Sequence, residues 1–576
     1  TPLYSSAASD VYKRQGLATA FFTTISPTFI SVSMAGYPDS DATVVFYTFV
    51  SVLATLYAIK SYQGIRKKKT WIAIIFAVLS YWIFAFNWNN SWYIYFIFAG
   101  FIPIFIFFKF LEYLIAKKGI YQILPEVKKI VIVIFLIGIL GEAITFATWR
   151  WPTNTIPLHK QLIDGLNIIT GSSLLVNISV AELQPLNVFK LSDAAQVIGR
   201  VGKIPYLLVF GNIFIPMPIV VLLIFFLKWK YRKEIDVAEY FAVIWLLISL
   251  WLITKGVRFS LLFSISLATA AGIVIGNLIE FSKNKNYIIK SLIFGFILFI
   301  SLYHFSENLK FSSSVGGLEV SQNWVDALNW LKSNSDNDTL IVTWWDPGHI
   351  ITGYANLKVH ADGAHCSPES CIPYNHNIRI QDMGRIFSTS SEEEAIEILK
   401  KYTSLTKEQC DEAKSKFGDL MPSNACNPIK KIYLIASNDL IFKYYWLSYF
   451  GSGEGRNFIQ CVLSQEATQS FGSITYFCPS TYNIFISVVQ TNETILFVMN
   501  SPQAGIRNGI IKYSIFFQNG RQINLVQNVA NSIDGLFLLD QSYQFGIFME
   551  PKVRDSLFTN MFFFNGKGVR EFDIPE

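Results

Sequence analysis

Apolar positions crowd the first half of the chain and thin out abruptly after residue 304. Helical membrane spans are expected at approximately 16–34, 42–60, 71–87, 92–115, 129–147, 205–228, 238–254, 258–280 and 288–304, about nine in all. Each is long enough to cross a hydrocarbon layer, which takes about 20 helical residues. From 305 the pattern changes to a short amphipathic helix, Val320–Lys332, then alternating runs such as 339–345 and 483–489 between Gly, Asn and Ser turns. That half reads as a mixed α/β soluble domain, large enough to hold its own core. No internal repeat or low-complexity tract interrupts either half.

Composition sharpens this division. Only 15% of the residues are charged and 52% are hydrophobic, against roughly a quarter charged in soluble globular chains, so a wholly soluble protein is excluded. The net charge of +6 could suggest nucleic acid, but the basic residues form short clusters between apolar runs and no basic, aromatic binding face is present. Instead they mark topology. The loops after the second, fourth, sixth and eighth spans carry Arg66, Lys67, Lys68 and Lys69; Lys117 and Lys118; Lys230, Arg232 and Lys233; and Lys283 and Lys285. The positive-inside rule makes these loops cytoplasmic. Alternation then puts the 35–41 loop, the 148–204 segment and everything after 305 outside. All six cysteines (Cys366, Cys371, Cys410, Cys426, Cys461, Cys478) fall in that outer domain, which suits disulfides in an oxidising compartment, with the pairing open. Residues 1–15 have neither an initiator Met nor a targeting pattern. They read as non-native sequence at a fragment end, with Gly16 the first native residue of a truncated gene.

Four constellations could carry chemistry. Asp39 and Asp41 sit two apart in Gly36-Tyr37-Pro38-Asp39-Ser40-Asp41, where both carboxylates could face one hard cation or simply be solvated. Glu182 lies in Ser179-Val180-Ala181-Glu182-Leu183-Gln184-Pro185, in the long outer segment. Arg258, at the outer end of a span, is a snorkelling anchor or a phosphate clamp. The most informative is Trp344-Trp345-Asp346-Pro347-Gly348-His349, a strand end entering a Pro-Gly turn. Adjacent strand residues face opposite ways, so one Trp can be core while the other, with Asp346, walls a pocket able to read a hydroxyl.

Taken together these motifs resemble the catalytic subunit of the oligosaccharyltransferases of N-linked protein glycosylation, particularly the archaeal members. Trp344, Trp345, Asp346 and Gly348 match that family's Trp-Trp-Asp-x-Gly signature; Asp39-Ser40-Asp41, Ser179–Glu182 and Val257-Arg258 match its acidic pair, external-loop Glu and membrane-border Arg, in order. Asp439 and Lys443 are similar to an acceptor-pocket helix, with one more residue between them than is commonest. The resemblance implies a GT-C-like polytopic α-helical membrane domain (16–304) followed by a mixed α/β extracytoplasmic domain (305–576). It further implies transfer of an oligosaccharide from a polyprenyl phosphate or pyrophosphate carrier to the Asn amide of Asn-x-Ser/Thr. Glu182 and Asp39 would be catalytic, and Asp39, Asp41 and Glu182 would hold Mn²⁺ or Mg²⁺. Trp344, Trp345, Asp346, Asp439 and Lys443 would bind the acceptor peptide, and Arg258 the lipid phosphate. The partners implied are the lipid-linked oligosaccharide, the acceptor protein and the membrane, with no nucleic acid and a single subunit.

The chain departs from that pattern at Pro347, which replaces the usual Tyr, and in lacking the family's first-loop Asp. Two other readings stay open: another polyprenyl-phosphate-sugar transferase, which leaves the Trp-Trp-Asp signature unexplained, and a degenerate, non-catalytic paralogue. A transporter or scaffold would instead place its acids at the bilayer midplane. Asn-x-Ser/Thr triplets begin at Asn89, Asn177, Asn337 and Asn492, all on the side expected to be outside.

Overall fold

The computed structural model describes residues 2–33, 41–88, 90–115, 123–148, 156–170, 186, 207–210, 213–216, 221–223, 225–227, 235–314, 320–363, 372–480, 482–492, 494–518 and 520–566. The chain divides into two compact units, Thr1–Glu319 and Val320–Glu576.

The first unit is helical. Its described helices are α1 (Pro2–Thr24), α2 (Pro27–Ser33), α3 (Asp41–Ser61), α4 (Lys68–Asn87), α5 (Trp92–Ile115), α6 (Leu124–Ala147), α7 (Leu158–Thr170), α8 (Val237–Ile253), α9 (Ser260–Ser282) and α10 (Tyr287–Ser314). Helix α3 shows why this unit belongs in a bilayer. Val45, Val52 and Ala58 are buried, while Phe46, Leu53 and Tyr57 on other faces are more than half exposed. A helix apolar on all sides without neighbours to cover it needs lipid as solvent. Six described helices are long and apolar enough to cross a membrane, or seven if α1 and α2, bent by 62° at their junction, form one span.

The helices alternate. At one end Lys60, closing α3, pairs with Asp236 before α8 at 2.8 Å, and Lys109 of α5 lies 3.3 Å from Glu112 and 3.6 Å from Glu126 at the start of α6. At the other end Ser91, opening α5, donates to Gln161 of α7 at 2.7 Å, and the Trp82 indole of α4 donates to Thr148 after α6 at 3.1 Å. Buried aromatic rings, among them Tyr81, Phe101, Phe241 and Trp245, fill the space between.

Two sequence expectations need correction. The run 205–228 is not one continuous span: Leu207–Phe210 (β1) and Ile213–Pro216 (β2) pair as antiparallel strands, Phe210 opposite Ile213. A short apolar run rich in Ile, Val and Phe is equally good strand, and the intervening Gly-Asn favours a two-residue hairpin connection. The membrane unit also runs past 304. Helix α10 continues to Ser314, where Lys310 and Glu307 pair at 2.9 Å along its surface, and the units divide at Glu319 and Val320.

The second unit has two sheets. Strands β3 (Thr339–Val342), β4 (Lys358–Val359) and β5 (Lys431–Leu434) form a parallel sheet in the order β4-β3-β5, so their crossovers are long. Helix Gln322–Asn334, capped by the Ser321 hydroxyl on the Trp324 N–H, leads into it. The remaining strands are β6 (Ile459–Leu463), β7 (Thr475–Cys478), β8 (Ile484–Gln490), β9 (Ile495–Ser501), β10 (Ile506–Gln518), β11 (Arg521–Val526), β12 (Ser532–Leu539) and β13 (Phe545–Met549). Their order is β11-β10-β12-β13-β6-β7-β8-β9, and β9 also pairs with β10. Seven strands thus close into a ring around Tyr476, Ile486, Phe497, Phe516 and Phe537, leaving no free edge within it. Disulfides join Cys410 to Cys426 and, between β6 and β7, Cys461 to Cys478. Cys366 and Cys371 lie outside the described residues.

Candidate functional site

Strand β3 is buried along its whole length and ends just before the Trp-Trp-Asp turn. Trp344 points inward, 2% exposed, its ring stacked 6.3 Å from that of Phe450. Trp345 is half-buried beside it, ring centroids 6.1 Å apart. Both lie beyond the last residue of β3, so the chain's bend after Val342, not strand alternation, sets their different exposure. The turn closes through the Gly348 N–H on the Trp345 carbonyl at 3.1 Å. A Cβ on Gly348 would stand 2.6 Å from the Ala361 oxygen and 2.9 Å from the Asp362 Cα, so only glycine lets the segment after β4 back this turn.

Asp346 leaves the turn half-buried and meets Lys443. Lys443 lies one turn into helix Leu440–Ser452, and its ammonium also pairs with Asp439 at 2.8 Å. Asp439 sits at the N-cap position, where it additionally accepts from the Ser437 hydroxyl. The extra residue between Asp439 and Lys443 is therefore harmless: positions four apart on a helix share a face as well as positions three apart do. Burial works to lower the Lys443 pKa, but hydrogen bonds to Asp346 and Asp439 outweigh it and hold the ammonium above its usual range. An ammonium has three donors, so two carboxylates leave the third for a ligand.

Sequence reasoning missed what positions this helix. It crosses helix His376–Ser388 where Gly384 meets Gly451, a Cβ on Gly384 standing 2.7 Å from the Gly451 nitrogen. His349, named above only as the end of the signature run, is exposed with Nδ1 3.9 Å from Asp362.

The membrane-side residues are placed less completely. Asp41 opens α3 and is half-buried, a favourable place for a carboxylate against the helix dipole. Asp39 and Glu182 lie outside the described residues. Arg258 is exposed on the single 3₁₀ turn Val257–Phe259 that leads into α9. A cation at a helix N-terminus is electrostatically disfavoured, and a bound anion would offset that. Among the described residues no three His, Cys, Asp or Glu side chains converge as a metal site.

The fold and this turn define a polytopic membrane protein bearing a globular α/β unit. Residues 11–313, just over half of the chain, match the family model described as Oligosaccharyl transferase STT3, N-terminal, and the chain belongs to the STT3 family. The match starts within the opening segment set apart above. Dolichyl-phosphooligosaccharide-protein glycotransferase 2 of Pyrococcus horikoshii is 34% identical over 143 residues, 24% of this chain and 18% of the relative. The Methanococcus voltae dolichyl-phosphooligosaccharide-protein glycotransferase is 21% identical over 466 residues, 66% of this chain and 49% of the relative. The chain thus spans about half or less of these curated relatives. Among solved structures, the archaeal oligosaccharyltransferase AglB from Archaeoglobus fulgidus, in complex with an inhibitory peptide and a dolichol-phosphate, aligns with TM-score 0.56 at 13% identity over 97% of this chain and 64% of that one. The apo crystal structure of the Archaeoglobus fulgidus oligosaccharyltransferase gives TM-score 0.54 at 15% identity, over 82% and 62%. At such identity the likeness establishes the fold.

Proposed function

We propose that the chain is the catalytic polypeptide of an oligosaccharyltransferase that moves an oligosaccharide from a polyprenyl phosphate or pyrophosphate carrier to the Asn amide of Asn-x-Ser/Thr. The observation that carries this reading is the Lys443 ammonium held between Asp346 and Asp439 beside Trp344 and Trp345. Family membership and the names of the curated relatives support it.

The pocket's chemistry suits a hydroxyl. Asp346 accepts a hydrogen bond from the hydroxyl of the Ser or Thr two residues after the acceptor Asn, and the third Lys443 hydrogen donates to that hydroxyl's oxygen. An Ala there makes neither bond, so the half-buried carboxylate and the third ammonium hydrogen lose the partner that a hydroxyl supplies, which is how a site rejects an analogue lacking one hydroxyl. The acceptor nitrogen is a poor nucleophile because its lone pair is delocalised, behind a rotational barrier of about 18 to 20 kcal/mol in ordinary amides. Glu182 and Asp39 accept its two N–H bonds and weaken that conjugation. The glycan C1–O bond to phosphate then breaks, its electron pair leaving with the phosphate, as the C1–N bond forms and the nitrogen gives up one proton to base. Arg258 holds the departing phosphate, whose charge it offsets. Asp39, Asp41 and Glu182 are an all-carboxylate set suited to a hard cation; Mn²⁺ or Mg²⁺ held there would neutralise charge on the phosphate. The site faces outside a cell membrane, with the donor lipid in the bilayer.

The test is transfer from purified lipid-linked oligosaccharide to a labelled Asn-x-Thr peptide and to its Asn-x-Ala counterpart. The expected result is turnover with the first only. Equal modification of both peptides, or sugar moved to lipid or to Ser/Thr hydroxyls instead, would replace this reading with another polyprenyl-phosphate-sugar transferase.

A further inference from the structure

The four Asn-x-Ser/Thr triplets look equivalent in sequence, but the structure separates them by the state of the hydroxyl at the third position. In the triplet from Asn89 that hydroxyl is Ser91, fully buried and bonded to Gln161 at 2.7 Å and Tyr81 at 3.2 Å. In the triplet from Asn337 it is Thr339, also fully buried, bonded to Asp336 at 3.1 Å and paired in β3 with Lys431 of β5. Neither can enter a pocket on another surface without unfolding its element. The triplet from Asn177 lies outside the described residues.

Asn492 differs. It is exposed at the tip of the β8–β9 hairpin, beyond the last paired residues, Gln490 and Ile495. Thr494 is half-buried there, and among the described residues its hydroxyl makes only a 3.5 Å contact to the Ile495 carbonyl, at the limit of a hydrogen bond. The tip is held by the Thr491 N–H on the Thr494 carbonyl at 2.8 Å and by the Thr491 hydroxyl, which donates to the same carbonyl at 2.9 Å and accepts from the Thr494 N–H at 3.0 Å; these bonds use neither the Asn492 side chain nor the Thr494 hydroxyl. Glu493 between them is not proline.

We propose that Asn492 is a modification site of this protein: the folded chain carries an N-linked glycan there, installed by its own activity, while Asn337 and Asn89 stay bare. This rests on the transferase reading above. The Asn492 side-chain nitrogen forms the bond to the glycan C1 and loses one proton to base. The C1–O bond to the carrier phosphate breaks, and its electron pair leaves with the phosphate of the lipid-linked oligosaccharide.

The experiment uses the full chain in archaeal membranes with their native lipid-linked oligosaccharide, supplied with a labelled Asn-x-Thr peptide, and reads occupancy by mass spectrometry of proteolytic fragments. The expected result is a glycan mass on the fragment holding Asn492 and none on that holding Asn337. Thr494→Ala should reduce occupancy at Asn492 at least about tenfold, the loss of one well-made charge-assisted hydrogen bond in the acceptor pocket, while Thr494→Ser keeps it. Asn492→Gln should leave transfer to the labelled peptide unchanged. Peptide transfer with a bare Asn492, or with Asn337 modified at equal occupancy, overturns this proposal alone. Absence of peptide transfer overturns the transferase reading and this proposal with it.

Discussion

Removing the Lys443 ammonium would leave the Asp346 and Asp439 carboxylates without the counter-charge that both now share. Lys443→Met should therefore raise the KM for an Asn-x-Thr peptide by about 10- to 100-fold, as losing charge-assisted hydrogen bonds does. It should leave kcat nearly unchanged if, as proposed, the pocket touches the hydroxyl and not the reacting amide; steady-state kinetics separate the two. His360 offers a second residue-level prediction. It is 1% exposed, with Nε2 donating to the Arg379 carbonyl at 2.8 Å and no partner for Nδ1 among the described residues. Burial pushes its pKa from 6.5 down to about 4, with the Arg379 and His376 charges lowering it further and the Arg379 carbonyl and Asp382 opposing. The unfolded chain thus binds the proton first. Stability from a neutral His360 is complete above pH 6.5 and is lost as pH falls from there toward 4. The full loss is about 3 kcal/mol. Chemical denaturation at neutral and mildly acid pH should show this acid limb in the wild type and its absence in His360→Gln.

The helix that carries Lys443 owes its position to a contact between glycines. At Gly451 a Cβ would stand 2.7 Å from the Arg385 nitrogen as well as 2.6 Å from the Gly384 carbonyl carbon. Gly451→Ala must push helices Leu440–Ser452 and His376–Ser388 apart, costing roughly 1 to 3 kcal/mol as overpacking does, and should also weaken peptide binding by drawing Lys443 from Asp346. Gly453, two residues on, is the control: it is left-handed at φ +78 with open space around it. Gly453→Ala should cost about 1 kcal/mol through backbone strain and leave the peptide KM alone, as thermal melts and kinetics together would show. This contact was not legible in the sequence, because the two glycines lie far apart in the chain and carry no periodicity. What was legible follows the same logic. Helices α3 to α6 and α9 are continuous apolar runs long enough to span, so composition alone places them. The run 205–228 failed because length and apolarity do not distinguish a helix from paired strands when Ile, Val and Phe dominate. Trp344, Trp345 and Asp346 stood out as a motif, whereas Asp439 and Lys443 were singled out only by their resemblance to the family's acceptor-pocket helix, at an unusual spacing. That both acids share one ammonium appears only once the chain is folded.

At the scale of the whole molecule, two units with separate hydrophobic cores divide the stabilising chemistry unequally. The membrane unit contains no cysteine and relies on close-packed aromatic and aliphatic side chains. The second unit holds the Cys410–Cys426 and Cys461–Cys478 bonds, closing sequence separations of 16 and 17. Six cysteines allow fifteen pairings, and sequence left them open. The fold selects Cys461 with Cys478 because β6 and β7 are antiparallel neighbours whose register, Val462 opposite Phe477, puts these two side by side. A bond closing a loop of this size restricts the unfolded chain by about 3 kcal/mol. Reduction should therefore lower the melting temperature of the second unit by on the order of 10 °C for the two bonds together, and leave that of the membrane unit where it was. Differential scanning calorimetry of the full chain in detergent, with and without dithiothreitol, would resolve the two transitions. Cys461→Ser with Cys478→Ser should reproduce part of the shift without reductant. If reductant moved both transitions equally, the two units would melt as one cooperative body and the separate cores would not be thermodynamically independent.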